Sequence, residues 1–209
     1  MTMSDYTNAD TVVFGGSFDP IHTGHLKVIH YIITSLNVKK LLLLPSKVSP
    51  FKVGQYSLND GDRLKCITLA LDDYEELYGK DERNKITIDR YEIDSKSDCS
   101  YTADTVFHYI NDEGFASPLN FIIGADILFS LSSWKNADYL KKNVHFIVVR
   151  RMGEHGDNDD IKQKLLESGF CLTYLNNPLY DYSSTKVKEG YTGLLSKRVE
   201  GYLKGRGKE

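Results

Sequence analysis

Four short stretches constrain the fold of this chain more than any other feature. Thr11–Phe14, Lys40–Pro45, Asn120–Ile123 and Val144–Val149 carry apolar residues without the polar alternation of a strand that has one wet face. Runs of this length and character suit strands covered on both sides, as in a parallel sheet. Each ends on a breaker or a charge: Gly15-Gly16, Pro45, Gly124 and Arg150-Arg151. Helical patterns lie between them. His25–Leu36 places Leu26, Ile29, Ile32 and Ile33 on one face, and Thr102–Asn111 sets Val106 one turn from Ile110, ahead of Gly114. Arg63–Leu71 repeats Leu64, Ile67 and Leu71 behind the N-cap candidates Asn59 and Asp60. Ile86–Ile93 alternates weakly and reads as a further strand. Strands separated by helices predict right-handed βαβ units, and hence an α/β fold: a doubly wound, Rossmann-like parallel sheet with helices on both faces. Lys47–Leu58 and Arg151–Asp159, polar or glycine-rich, read as loops.

The 209 residues suit a single domain, 1–209, with residues 1–10 flexible and 204–209 a tail. A composition of 41% hydrophobic and 26% charged residues excludes wholesale disorder. With 26 Lys+Arg against 29 Asp+Glu the net charge is −3, which argues against a broad basic face for nucleic acid. The basic stretch Lys197 to Lys208 reads as a solvated helix face and tail. Cys66, Cys99 and Cys171 are scattered without a CxxC pair, as in a protein with reduced thiols and no structural zinc. The polar N-terminus lacks the features of a signal peptide. Apolar runs such as Leu41–Leu44 fall far short of the roughly 20 residues of a membrane helix. The expectation is a soluble, cytoplasmic protein with neither nucleic-acid nor membrane partners, its oligomeric state (a homo-oligomer included) left open.

The chemistry concentrates in Gly15-Gly16-Ser17-Phe18-Asp19-Pro20-Ile21-His22-Thr23-Gly24-His25-Leu26, which follows the first expected strand and opens the first expected helix. Glycines let the backbone approach a ligand closely, and a helix start offers unpaired N–H groups and partial positive charge to an anion. Open α/β sheets bind ligands at this edge. His22 and His25 can enter one pocket and donate to phosphate oxygens whose charge grows in a transition state. A metal site at these two histidines lacks a third ligand at suitable spacing. The P-loop lysine and the dinucleotide spacing are also absent, so this is a different phosphate device.

The segment resembles the signature of the nucleotidyltransferase superfamily marked by His-x-Gly-His. A second signature of that superfamily, Ser-Ser-Thr followed by a basic residue, stands at Ser183-Ser184-Thr185-Lys186-Val187-Lys188. Alone it reads as a helix N-cap; paired with the first motif it carries more weight. Ser100-Tyr101-Thr102-Ala103-Asp104-Thr105, Phe121–Asp126 with the single Trp134, and His145–Arg151 resemble stretches of bacterial-type nicotinate-nucleotide adenylyltransferases. The resemblance runs from about Val12 to Leu203.

It implies ATP and nicotinate mononucleotide as substrates, with deamido-NAD and pyrophosphate as products. Gly15, Gly16, Ser17 and Phe18 would line the ATP site, His22 and His25 would hold its phosphates as the catalytic pair, and Gly124 and Asp126 would contact adenosine. Ser184, Thr185 and Lys188 would hold the β and γ phosphates, with Lys52 nearby. Tyr101, Thr102 and Trp134 would line the mononucleotide site, Trp134 by stacking. Without the resemblance a lone Trp is more simply core or interface, and Asp126 a helix cap. Mg²⁺ would accompany ATP, held by substrate oxygens and water, since no carboxylate cage is visible. Two departures stand out: Ser49-Pro50-Phe51-Lys52 lacks the family's histidine, and Lys188 replaces an arginine and loses its bidentate fork. Weaker triphosphate binding is expected. Nicotinamide mononucleotide or phosphopantetheine remain alternative acceptors, and a nucleotide-binding sensor without turnover is the non-enzyme alternative.

Overall fold

The computed structural model describes residues 10–48, 56–150 and 159–206. Six strands form one sheet: β1 (Thr11–Gly16), β2 (Lys40–Pro45), β3 (Ile86–Ile88), β4 (Leu119–Gly124), β5 (Val144–Val149) and β6 (Cys171–Tyr174). Their order is β3-β2-β1-β4-β5-β6, and every pairing is parallel. The helices are α1 (Thr23–Ser35), α2 (Asp60–Tyr78), α3 (Lys80–Arg83), α4 (Tyr91–Asp94), α5 (Thr102–Asn111), α6 (Ala137–Asn143), α7 (Asp159–Glu167), α8 (Ser184–Lys188) and α9 (Lys197–Arg206), with a 3-10 segment over Ala125–Ser133. None of those described is long and apolar enough to cross a membrane.

Two cores explain why the strand runs do not alternate. Val12, Phe14, Leu41 and Leu43 pack with Ile29 and Ile32 of α1 and Ile67 and Leu71 of α2 on one face of the sheet. Val13, Leu42, Leu44 and Phe146 pack with Val106 of α5, Leu140 of α6 and Leu165 of α7 on the other. Each such side chain contributes about 1.5–3 kcal/mol by leaving water. Both faces of the central strands therefore need apolar residues.

The helices run close to expectation. α5 spans the expected residues, and α1 starts two residues earlier than the periodicity suggested. α2 is capped by Asn59, whose side chain accepts from Asp62 N–H, and it runs past Leu71 to stop at Gly79 with φ +89°. The expected strand Ile86–Ile93 is corrected. Only Ile86–Ile88 pairs, because the Asp89 carboxylate accepts from Tyr91 N–H at 2.8 Å and turns the chain into α4. The C-terminal basic stretch is more than a solvated face: Arg198 of α9 pairs with Asp73 and Glu76, Tyr202 donates to Asp62 at 2.7 Å, and Val199 is fully buried. Of the expected loops, residues 49–55 and 151–158 lie outside the described residues, while Asp159 opens α7.

One buried polar ladder crosses three strands. His145 of β5 is fully buried, with Nδ1 at 2.8 Å from Asn120 Oδ1 and Nε2 at 2.8 Å from Thr173 Oγ1. Burial pushes the imidazole from its ordinary 6.5 down to about 4, so the folded ring stays neutral where the unfolded one takes a proton. The folded pKa is depressed, so stability is lost as pH falls from about 6.5 to about 4, by roughly 3 kcal/mol at the lower end. Urea melts of wild type and His145→Gln at pH 7 and pH 4.5 check this. The wild type should lose more stability on acidification, and parallel losses would remove His145 as the cause.

Candidate active site

The chain leaves β1 for β2 on one side, while β4 flanks β1 on the other. The carboxyl ends of β1 and β4 thus border the point where the winding reverses, the usual ligand crevice of such sheets. A cleft of about 380 Å³, solvent at its mouth included, opens there, and its walls include His22, Gly24, His25, Gly124, Tyr180 and Tyr182. The first motif and the end of β4 therefore meet in one cavity.

His22 is the N-cap of α1 and His25 its third residue, so one helical turn stacks their rings with centroids 3.7 Å apart. The His22 backbone N–H donates to His25 Nδ1 at 3.2 Å. That nitrogen accepts, so the neutral ring carries its proton on Nε2 as a donor. Phe18 is 1% exposed and packs edge-on against both Phe14 and His25. Its φ of +42° is unusual for a bulky residue; its ring braces His25 from the core side. Gly24 is required sterically, since a Cβ there would lie 2.6 Å from Tyr182 Cβ and 3.0 Å from His22 Nδ1. A Cβ on Gly15 would lie 2.9 Å from the Phe121 ring, and one on Gly16 3.1 Å from Phe18. Fully buried Arg63 donates to Ser17 O at 2.6 Å and so holds the loop from beneath. Thr23 N–H is taken by Leu194 O at 2.8 Å, which leaves fewer N–H groups for an anion than a bare helix start offers.

The second motif is brought onto the first. Ser183 caps α8 by accepting from Lys186 N–H, and Ser184 Oγ donates to Pro20 O at 3.0 Å. Lys188 donates to Asp19 Oδ2 at 2.6 Å. Burial alone would raise the Asp19 carboxyl, but Lys188 and the N–H groups of Ser57 and Leu58 outweigh it and hold it below its usual range. Thr185 is exposed beside them. Tyr182 lies parallel to His22 with ring centroids 6.5 Å apart, and its hydroxyl accepts from Lys27 at 3.0 Å. Lys52 lies outside the described residues.

The expected mononucleotide residues stand at the start of α5 and after β4. Tyr101 is the N-cap of α5 and makes no side-chain cap bond, while the Asp104 N–H turns back to Tyr101 O at 3.0 Å. Lys135 holds its ammonium 4.5 Å over the Tyr101 ring and 2.8 Å from Asp104. Trp134 is half-buried: its indole N–H donates to Ser130 Oγ at 3.1 Å and its ring meets Phe146 at 88°. Gly124 ends β4 opposite Val149, and Asp126 is exposed in the segment that follows. Tyr180, Tyr182 and Lys135 were missing from the sequence reading, while Asp19 stood in the first motif and Arg63 in a helical run, neither with a role at the site. Usable signals were Asp19's place inside that motif and Tyr182's immediately before Ser183.

A family model described as cytidylyltransferase-like matches residues 13–190. The chain is 32% identical over 179 residues to a probable nicotinate-nucleotide adenylyltransferase of Clostridium tetani, covering 85% of this chain and 84% of that one. A probable nicotinate-nucleotide adenylyltransferase of Staphylococcus epidermidis is also 32% identical, over 206 residues covering 96% of this chain and 97% of its own. The fold matches that of Plasmodium falciparum nicotinic acid mononucleotide adenylyltransferase complexed with NaAD, at TM-score 0.76 and 18% identity over 95% of both chains.

Proposed function

The chain belongs to the cytidylyltransferase-like family and within it to the nicotinate-nucleotide adenylyltransferases, and we propose that it transfers the adenylyl group of ATP to the 5′-phosphate of nicotinate mononucleotide in the cytoplasm. The observation that carries this reading is the stacked pair His22 and His25 in one cleft with the end of β4.

An oxygen of the mononucleotide phosphate attacks the α-phosphorus in line and forms a new P–O bond. The bond from that phosphorus to the α/β bridging oxygen breaks, and pyrophosphate leaves with the electron pair. The acceptor is already an anion at neutral pH, so positioning and charge stabilisation suffice. His25 donates to the α-phosphate oxygens, whose charge grows during the transfer, and His22 to the bridge. Gly15, Gly16, Ser17 and Phe18 shape the nucleotide's approach, and Gly124 with Asp126 receives the adenosine. Ser184, Thr185, Lys188 and Lys52 hold the β and γ phosphates; Lys188 is shared with Asp19. Tyr101, Thr102 and Trp134 take the pyridine end.

Mg²⁺ fits this donor set as a metal carried by the nucleotide. Among the described residues no group of three His, Cys, Asp or Glu side chains could hold one, and the Asp19 oxygens already accept from Ser57, Leu58 and Lys188. Bound to the polyphosphate, it would neutralise charge on the leaving group.

The start of α5 favours the acid over the amide, because N–H groups at a helix start stabilise a carboxylate. Pyrophosphate release with ATP and Mg²⁺, run on nicotinate mononucleotide, nicotinamide mononucleotide and phosphopantetheine, tests the assignment. Nicotinate mononucleotide should lead the amide by about 10-fold or more in kcat/KM, the size of one charge-assisted hydrogen bond. Equal rates would overturn the acid preference, and silence on all three would overturn the activity.

A further inference from the structure

Glu92 of α4 has no task in the chemistry above, yet it is only 7% exposed. Its carboxyl is raised, by burial first and by the neighbouring charge of Asp89, against the hydroxyls of Thr105 and Ser100 that pull the other way. An apolar side chain would fill such a place at less cost. Thr105 Oγ1 donates to Glu92 Oε1 at 2.7 Å, and the nearby Ser100 hydroxyl favours the carboxylate form. Ser100 and Thr105 bracket Tyr101 and Thr102, the turn that opens α5.

The anchoring continues beyond this turn. Ser100 Oγ accepts from Lys47 N–H at 3.0 Å, and Ser100 N–H donates to Val48 O at 2.8 Å. Arg63 donates to Lys47 O at 3.3 Å and to Ser17 O at 2.6 Å. A hydrogen-bonded path thus runs from Ser100 through Lys47 and Arg63 to the loop after β1, while Glu92 anchors the same turn at Thr105. It joins the turn proposed for the acceptor to the loop proposed for ATP.

We infer that Glu92 is a positioning residue for the acceptor site: its bond to Thr105 holds Tyr101, Thr102 and the start of α5 where the pyridine end of the mononucleotide binds. The inference rests on the acceptor assignment above. A carboxylate suits the task because it accepts strongly from the Thr105 hydroxyl.

Steady-state kinetics on the full chain test it, by pyrophosphate release with each substrate varied in turn. The variants are Glu92→Ala, Glu92→Gln and Thr105→Val, the last near-isosteric and independent of whether Glu92→Ala folds. Glu92→Ala and Thr105→Val should raise the KM for nicotinate mononucleotide about 10- to 100-fold, the loss expected for a hydrogen bond to a charged group. The KM for ATP should stay within about 2-fold, since the Glu92–Thr105 bond lies on the acceptor side of that path. Glu92→Gln should recover most of the loss, because its amide oxygen still accepts from Thr105. Equal rises in both KM values, a loss confined to kcat and melting temperature, or Gln no better than Ala would each overturn the inference. A wild-type chain silent on nicotinate mononucleotide would instead overturn the acceptor assignment, and the inference with it.

Discussion

A His25→Ala variant is expected to turn over about 10²–10³-fold more slowly than wild type at saturating ATP, the usual loss for one transition-state donor. Two functions of the ring must be separated. Its Nδ1 accepts from His22 N–H and so caps the start of α1, which is worth about 1 kcal/mol of stability. Its Nε2–H is the donor proposed for the α-phosphate. Asparagine at this position can still accept from the backbone but offers no imidazole donor. His25→Asn should therefore recover most of the melting temperature lost by His25→Ala without recovering kcat. Near-normal turnover in either variant would remove His25 from the catalytic step.

The second large effect is expected at Gly24, where the sequence motif demands glycine and the structure shows why. Alanine would gain up to about 1 kcal/mol of helix propensity. Against this stands a Cβ 2.6 Å from Tyr182 Cβ and 3.0 Å from His22 Nδ1. A rotamer change cannot move Tyr182 Cβ, so α1 or the chain before α8 must shift, and overpacking of this kind costs about 1–3 kcal/mol. The shift displaces His22 and the two motifs together. Gly24→Ala should lose about 10²-fold in kcat/KM, the scale of a 1 Å misplacement. The offending atom is a Cβ, so adding Tyr182→Gly should restore part of the activity and adding Tyr182→Ala should not. Equal behaviour of the two double variants would refute the steric account.

Much of the fold was legible because both sheet faces are buried: Leu41–Leu44 alternate between the two cores, yet every one must be apolar. Caps were legible where the residue acts locally, as at Asn59 and Ser183. β3 was overextended because Asp89 ends it through one side-chain bond that periodicity does not register. The first motif could be read as a cleft because its residues are contiguous. The partners that hold it could not. Arg63 beneath Ser17, Lys188 on Asp19 and Tyr182 beside His22 are tertiary pairings between distant segments. Trp134 shows the same limit: the family resemblance implied a stacking platform, while its edge against Phe146 ties it to the core as well.

The bond from Ser184 Oγ to Pro20 O joins positions 164 residues apart, and this separation has a consequence for biosynthesis. Translation delivers the histidine pair early, but α8 emerges only after all six strands. The chain emerges from its N-terminal end during synthesis. On the ribosome the sheet can therefore assemble while the cleft still lacks its phosphate-side wall, and nucleotide affinity should arrive late, with the emergence of Ser184 and Lys188. A nascent chain stalled before α8 is thus a nearly complete sheet without a finished site.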